Sequence, residues 1–404
     1  MSSAEQRFQI AVPDDAIALL RRKLADATFP DELDEAGWDY GVPLADVKRL
    51  ADRWQTGYDW RKHEATLNEL PMFTRDVDVD GFGVLNIHYV HQKSTVENAI
   101  PLLFVHGWPS SFVEGHKILP LLTASLPEHP SFHVVAPSLP SYGFSEGIRK
   151  KGFRGAQYAE LLNKLMVSLG YTEYVTQGGD WGHMLTRITA NRYGPKHVKA
   201  WHTNMLHAIP PPTIFGSPFQ YLAHLVTPYT PREQASLART EWFGSFGMGY
   251  FAEQTTAPQT IGYSLADSPV GLLAWIYEKL VLWTDNYDWD DDEVLTWMSV
   301  FWFSRAGPAA SVRIYCELAK SGEIFGLPSD VPVPIGVSYF PQELVAVPRS
   351  WLKAWKNVVH ISEHERGGHF AAYEQPQALV DDLRAMFGKG GPAAGVVPGN
   401  DGYS

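Results

Sequence analysis

Cysteine is nearly absent from this chain: Cys316 is the only one among 404 residues. No intramolecular disulfide can form, which agrees with a reducing, cytoplasmic setting. Positive charge is also sparse, with 33 Lys and Arg against 45 Asp and Glu and a formal net charge of −12. An acidic chain without a Lys/Arg stripe argues against nucleic acid or an anionic membrane as partner and suits a small neutral ligand. Nowhere do about 20 apolar residues run together, and Met1 to Arg7 carries neither a basic start nor an apolar stretch. The expectation is a chain with no membrane anchor. No internal repeat is evident. What is present, 45% apolar and 19% charged residues, is the composition of a globular protein able to bury a large core, and the length suggests about two to three domains.

Where a serine hydrolase carries its Gly-x-Ser-x-Gly elbow, this chain carries Gly178-Gly179-Asp180-Trp181-Gly182. This matches the glycine-flanked nucleophile elbow of α/β-hydrolases with aspartate in the serine position. Small neighbours are required because the nucleophile sits on a strained turn from strand to helix, above the carboxyl edge of a parallel sheet. A carboxylate there is already charged and needs no base to activate it, so the first step suits alkylation at sp3 carbon better than acylation. Epoxides and alkyl halides become the leading substrates, and esterase or peptidase activity is disfavoured. The flanks agree with an elbow. Tyr174-Val175-Thr176 is β-prone, and His183 to Arg192 carries Leu185, Ile188 and Thr189 at helical spacing without proline. The apolar run Ile100 to Val105, of the kind buried on both faces of a parallel sheet, leads straight into His106-Gly107-Trp108-Pro109. In this fold that loop gives one backbone N–H to an oxyanion hole and the residue after the nucleophile gives the other, which points to the amides of Trp108 and Trp181.

Taken together, the His106 to Pro109 and Gly178 to Gly182 motifs make the chain resemble the epoxide hydrolases related to the microsomal enzyme. The likeness extends to Pro137-Ser138-Leu139-Pro140-Ser141-Tyr142-Gly143-Phe144-Ser145, similar to the loop after the next core strand, with Ser141 where the family commonly has glycine. Ile10 to Asp15, continuing to Phe29-Pro30, is similar to the amino-terminal extension peculiar to this branch, so only the glycine-rich end beyond Lys389 lies outside the resemblance. The microsomal relatives carry an anchor helix that is not expected here. The implied fold is α/β: an α/β-hydrolase core with a mostly parallel central sheet, a helical cap insert and an amino-terminal extension. We expect residues 1–95 to form the extension and first strands, 96–210 the first part of the core, 211–326 the cap, and 327–404 the second part of the core and the tail.

Local patterns fill in this frame. Ile17, Leu20 and Leu24 after a cap at Asp14, then Leu44, Val47, Leu50 and Trp54, form two amphipathic helical patterns, each expected to pack one stripe on the core. Phe73 to Asp80 and Val84 to Val90 alternate as a hairpin about Asp80-Gly81. After Val198 to Trp201 the composition shifts to Pro210-Pro211-Pro212 and a helical, aromatic-rich segment ending near Gly326. The core returns with Val331 to Phe340 and closes with a helix over Pro376 to Phe387.

A nucleophile elbow predicts an acid and then a histidine, in chain order, on loops after later strands. His369, in Arg366-Gly367-Gly368-His369-Phe370, has flanking glycines that suit a loop presenting an imidazole. Glu343, in Phe340-Pro341-Gln342-Glu343, follows the strand Pro334 to Tyr339, where the family places its acid. The resemblance also implies two cap tyrosines that hold the epoxide oxygen, and Tyr250 and Tyr315 match them. The chain has 18 tyrosines, and aromatic residues at such an interface usually only pack, so it is the paired match that carries the reading.

Two other runs do not hold up. His364 to His369 looks like a zinc helix, but its histidines are five apart and two glycines break any helix. Asp288, Asp290 and Asp292 have calcium-loop spacing, yet Glu293 stands where glycine is required, so they read as a solvated helix start. No metal and no cofactor are expected. The expected reaction is hydrolysis of a small neutral apolar epoxide to a vicinal diol. Asp180 attacks carbon while Tyr250 and Tyr315 hold the oxygen; His369, oriented by Glu343, then activates water, and the Trp108 and Trp181 amides hold the oxyanion. A haloalkane dehalogenase using the same aspartate is the runner-up, and a ligand-sensing protein without turnover is a third reading. Detoxification, aromatic hydrocarbon catabolism and natural-product synthesis are all compatible roles, and a homodimer is a compatible state.

Overall fold

The computed structural model describes residues 5–206, 221–222, 225–323 and 330–404. Among the described residues nine strands form one sheet: β1 (Gln6–Arg7), β2 (Met72–Val79), β3 (Gly83–Gln92), β4 (Ile100–Val105), β5 (Phe132–Pro137), β6 (Tyr174–Gly178), β7 (Val198–Thr203), β8 (Ile335–Tyr339) and β9 (Val358–Glu363), in the order β1-β2-β3-β5-β4-β6-β7-β8-β9. The first three strands are antiparallel, and β3 joins β5 antiparallel; from β5 to β9 every pairing is parallel. Every residue of β4 and of β6 is buried, as expected of central strands covered by helices on both faces. The hairpin read from alternation is present as β2 and β3.

Helices α1 (Asp14–Ala25), α2 (Leu44–Asp52) and α3 (Trp60–Leu67) precede the hairpin. Asp14 does not cap α1. It is the first helical residue, Pro13 takes the cap position, and no side chain bonds the first turn. Proline's fixed φ suits that position, and Asp14 and Asp15 then complement the positive helix end. The expected stripe is buried, with Leu20, Leu24, Val47, Leu50 and Trp54 in the hydrophobic core and Ile17 packed against it, and polar groups of the same segment reach a further partner. Trp54 donates to Ser299 Oγ at 3.1 Å, Tyr58 meets Thr296 at 3.0 Å, Arg53 pairs with Asp292 at 2.9 Å and Lys23 with Asp267 at 2.6 Å. All four partners belong to the segment between β7 and β8, so the extension clasps that insert.

The core helices α4 (Leu119–Thr123), α5 (Gly155–Ser168) and α6 (Asp180–Tyr193) lie between the parallel strands in sequence, with α6 leaving directly from β6. The insert contains α7 (Pro231–Trp242), α8 (Gly249–Thr256), α9 (Pro258–Asp267), α10 (Pro269–Leu282), α11 (Asp291–Trp302) and α12 (Arg313–Ser321). Pro210, Pro211, Pro212 and Gly326 lie outside the described residues. Asp290 caps α11, accepting from the amides of Asp292 and Glu293, so the acidic run is the start of a helix. The last helix, α13 (Pro376–Phe387), matches its expected bounds. Beyond it the glycine-rich end folds back: Gly402 donates to the Asn98 carbonyl at 2.9 Å and accepts from Ser131 at 2.7 Å, beside the starts of β4 and β5.

Candidate active site

The β6–α6 turn is tight because its glycines leave room for neighbouring backbone. A Cβ at Gly182 would overlap the Val105 carbonyl, and one at Gly107 would overlap the Asp180 side chain. Strand β4, which ends at Val105, can therefore lie against the turn that carries Asp180. Asp180 has a φ of 49°, a left-handed value that a non-glycine residue adopts at a cost. The loop after β5 shows the same signature: Ser141, the departure noted from the family's glycine, has a φ of 74°.

This turn places the Asp180 carboxylate between two sets of partners. Its Oδ1 accepts from the Trp108 backbone N–H at 2.8 Å. Its Oδ2 lies 3.4 Å from His369 Nε2. On the other side of the ring, His369 Nδ1 lies 2.7 Å from Glu343 Oε1, which also accepts from the Leu344 amide at 2.7 Å. Glu343 and His369 are buried, while the Asp180 side chain keeps 17% exposure. The His369 backbone N–H donates to the Trp283 carbonyl at 2.8 Å, and the Trp283 ring stands edge-on to the imidazole at 5.0 Å. The insert thus holds the loop of the histidine directly.

Tyr250, on α8, and Tyr315, on α12, close the space over the carboxylate. Tyr250 stacks on Trp108 at 5.2 Å with ring planes 11° apart, and Tyr315 stands edge-on to Trp108 at 5.6 Å and to Trp181 at 4.6 Å. The Tyr315 hydroxyl is buried with no hydrogen-bond partner among the described residues, and so is the Trp181 indole N–H. An unpaired buried donor is costly, and here two of them lie beside one carboxylate. The Trp181 amide opens α6, where first-turn N–H groups have no intrahelical acceptor. All seven residues singled out in the sequence are brought together: Asp180, His369, Glu343, Tyr250, Tyr315, Trp108 and Trp181.

Comparisons with known proteins place the chain in a family. The family model described as "Epoxide hydrolase N terminus" matches residues 5–115, and the α/β-hydrolase fold model matches residues 100–239. A Stigmatella aurantiaca protein is 41% identical over 390 residues, spanning 94% of this chain and 84% of its own length. "Epoxide hydrolase 1" of Sus scrofa is 34% identical, spanning 94% and 88%. The chain belongs to the epoxide hydrolase family. The solved structure of the Aspergillus niger epoxide hydrolase is 33% identical and superposes with a TM-score of 0.80 over 95% of each chain. No helix among the described residues is long and apolar enough to cross a membrane.

Electrostatics in this epoxide hydrolase separate its acids from its bases. Burial alone would push the His369 imidazole down, but the Glu343 charge, with the hydrogen bonds and charge of Asp180, raises it to about 10. Burial, reinforced by the Asp180 charge, lifts both Tyr250 and Tyr315 well above the usual phenol range, so each hydroxyl stays a donor at neutral pH. His106, fully buried, is pushed down to about 4 by burial. Glu114 escaped the sequence reading. It sits on the short helical turn after Trp108, where burial pushes its carboxyl up to about 7 against the pull of nearby His369. A lone acid in the apolar stretch Phe112-Val113-Glu114 was the available signal. Of the zinc-like run, His364 lies 2.6 Å from Asp382 and His369 faces Glu343 and Asp180.

Proposed function

We propose that this enzyme hydrolyses a small apolar epoxide to a vicinal diol through a hydroxyalkyl ester on Asp180, with the helical segment 211–326 acting as its cap. The observation that carries the reading is the division of the Asp180 carboxylate: Oδ1 is held by the Trp108 amide, and Oδ2 is left toward the aromatic space and His369. Oδ2 attacks one epoxide carbon, the C–O bond breaks, and the oxygen takes a proton from the phenol pair. In the free enzyme His369 is an imidazolium beside two carboxylates. Esterification removes the Asp180 charge, one of the influences that keep the imidazole protonated, so its basicity falls when a general base is needed. His369 then releases its proton to solvent and, as a neutral imidazole oriented by Glu343, takes a proton from water that attacks the ester carbonyl, regaining the charged form once Asp180 is a carboxylate again. Oδ1 becomes the oxyanion, already against the Trp108 amide and beside that of Trp181. Collapse gives the diol and restores Asp180, and the released proton returns to the phenol. No step in this sequence calls for a metal or a cofactor.

The unpaired Trp181 indole N–H also suits a departing halide, which is the specific support for the dehalogenase reading. A panel of aryl, terminal and bulky epoxides beside haloalkanes of equal size, followed for diol and for chloride, separates the two. Diol without chloride is expected; chloride release matching diol formation would overturn the assignment.

A further inference from the structure

The helix α10 is apolar along its buried side, with Leu272, Leu273, Ile276 and Leu280, and yet Lys279 lies on that side at 3% exposure. Lysine is almost never buried to this extent without a partner. Burial pulls its ammonium below the usual lysine range, so the site resists the charge it holds. Its ion-pair partner is Glu278, the adjacent residue, at 2.8 Å, and that carboxylate is partly exposed. The other contacts of Lys279 are aromatic: Nζ lies 5.2 Å from the centroid of the Tyr250 ring and 5.1 Å from that of Trp275. Trp275 is fixed in turn by its indole N–H, which donates to the buried Gln254 Oε1 at 3.0 Å, one turn along α8 from Tyr250. Among the described residues no cation lies over the ring of Tyr315, which is surrounded by Trp108, Trp181, Tyr250 and Phe251. The two phenols that face Asp180 are therefore electrostatically unequal.

We propose that Lys279 is a positioning residue that makes Tyr250 the proton donor in epoxide opening and leaves Tyr315 to hold the oxygen. The inference rests on the covalent reading above. When Oδ2 of Asp180 attacks carbon, the electron pair of the broken C–O bond goes to the epoxide oxygen, that oxygen takes the Tyr250 proton, and negative charge moves onto the Tyr250 phenol. An ammonium about 5 Å from the ring stabilises that charge, since it sits in a site with little water to screen it. The charged or titratable groups that face Tyr250 are Asp180, Tyr315, Glu278 and Lys279. Of these, Asp180 and Glu278 oppose the phenolate, the neutral Tyr315 hydroxyl favours it, and Lys279 is the one cation that does so. The proton returns when ester hydrolysis regenerates the Asp180 carboxylate.

The test is a double-mutant cycle on the alkylation step, measured in single turnovers with styrene oxide. Lys279→Met should slow alkylation about tenfold (about 1.4 kcal/mol), Lys279→Arg should restore most of the rate, and hydrolysis of the preformed ester should be unchanged. The Met effect should vanish in Tyr250→Phe and persist in Tyr315→Phe. It should also shrink for epoxides whose alkoxide is a better leaving group, a dependence that a purely structural role would not produce. If Lys279→Met does not fold, Glu278→Gln, at a partly exposed site, removes the counter-charge and should speed alkylation. A Met effect equal in all backgrounds, a loss shared by both half-reactions, or slower alkylation in Glu278→Gln overturns the role of Lys279. Absence of any covalent ester in the parent enzyme would instead overturn the covalent reading itself.

Discussion

Removing the Tyr315 hydroxyl should cost activity and leave stability intact, a combination that few buried substitutions give. The ring is 1% exposed and packs on Trp108, Trp181, Tyr250 and Phe251. Phenylalanine keeps every one of these contacts. The hydroxyl itself has no partner among the described residues, and a buried hydroxyl without one costs roughly 1–3 kcal/mol. Tyr315→Phe should therefore unfold at the parental temperature or slightly above it. In the reaction the same group meets the epoxide oxygen as it gains charge, and loss of such a donor is worth about 10 to 1000-fold, or about 1.4–4 kcal/mol. Stopped-flow tryptophan fluorescence in single turnovers reads the alkylation step, because the Trp181 ring lies 4.6 Å from Tyr315, and calorimetry reads the stability. Alkylation at the parental rate would refute the role of the phenol. A melting temperature several degrees lower would show that the hydroxyl serves the fold.

Three further predictions concern the second half of the reaction. His369→Gln should alkylate once and stall, raising the intact mass by one substrate; steady turnover, or no alkylation in a folded variant, would contradict the division of labour. Glu343→Gln should be milder, since orientation is weakened while the base remains. In pH profiles, the imidazole raised to about 10 in the free enzyme should titrate lower once Asp180 is esterified. Hydrolysis of the ester should therefore climb with pH and level off below pH 10, whereas alkylation should stay flat across neutral pH. The same shift has a stability consequence: a folded value above the unfolded one near 6.5 gives stability that is full below about pH 6.5 and is lost as pH rises through 10. Alkaline unfolding that is equally steep in His369→Gln would speak against it.

The parts of the fold legible in the sequence were those that local chemistry dictates. Gly178 and Gly182 permit a close approach that no other residue allows, and β4 reads as buried because all six of its residues are buried in the structure. The hairpin alternates because one face is covered. The illegible parts depended on what lies opposite. Strand β9 has an exposed and half-buried sequence, with His360 and Glu363, and pairs only at the sheet edge. Helix α3 is short and is capped by Asp59. Asp14 was a plausible cap by residue type, but Pro13 before it already sets the backbone. Lys279 and Glu114 are polar residues whose burial arises from tertiary contacts, and the apolar residues beside each are the one signal the sequence carries for it. The departure at Ser141 was visible as a missing glycine, and its left-handed φ is the structural counterpart.

The central claim, a covalent ester on Asp180, is tested most directly by a single turnover in oxygen-18 water with enzyme in excess over epoxide. The account predicts diol carrying no label in that first turnover, because its new oxygen comes from the Asp180 carboxylate, and label appearing in the peptide that contains Asp180. Fully labelled diol with an unlabelled Asp180 would mean that water attacks the epoxide directly and would contradict the mechanism.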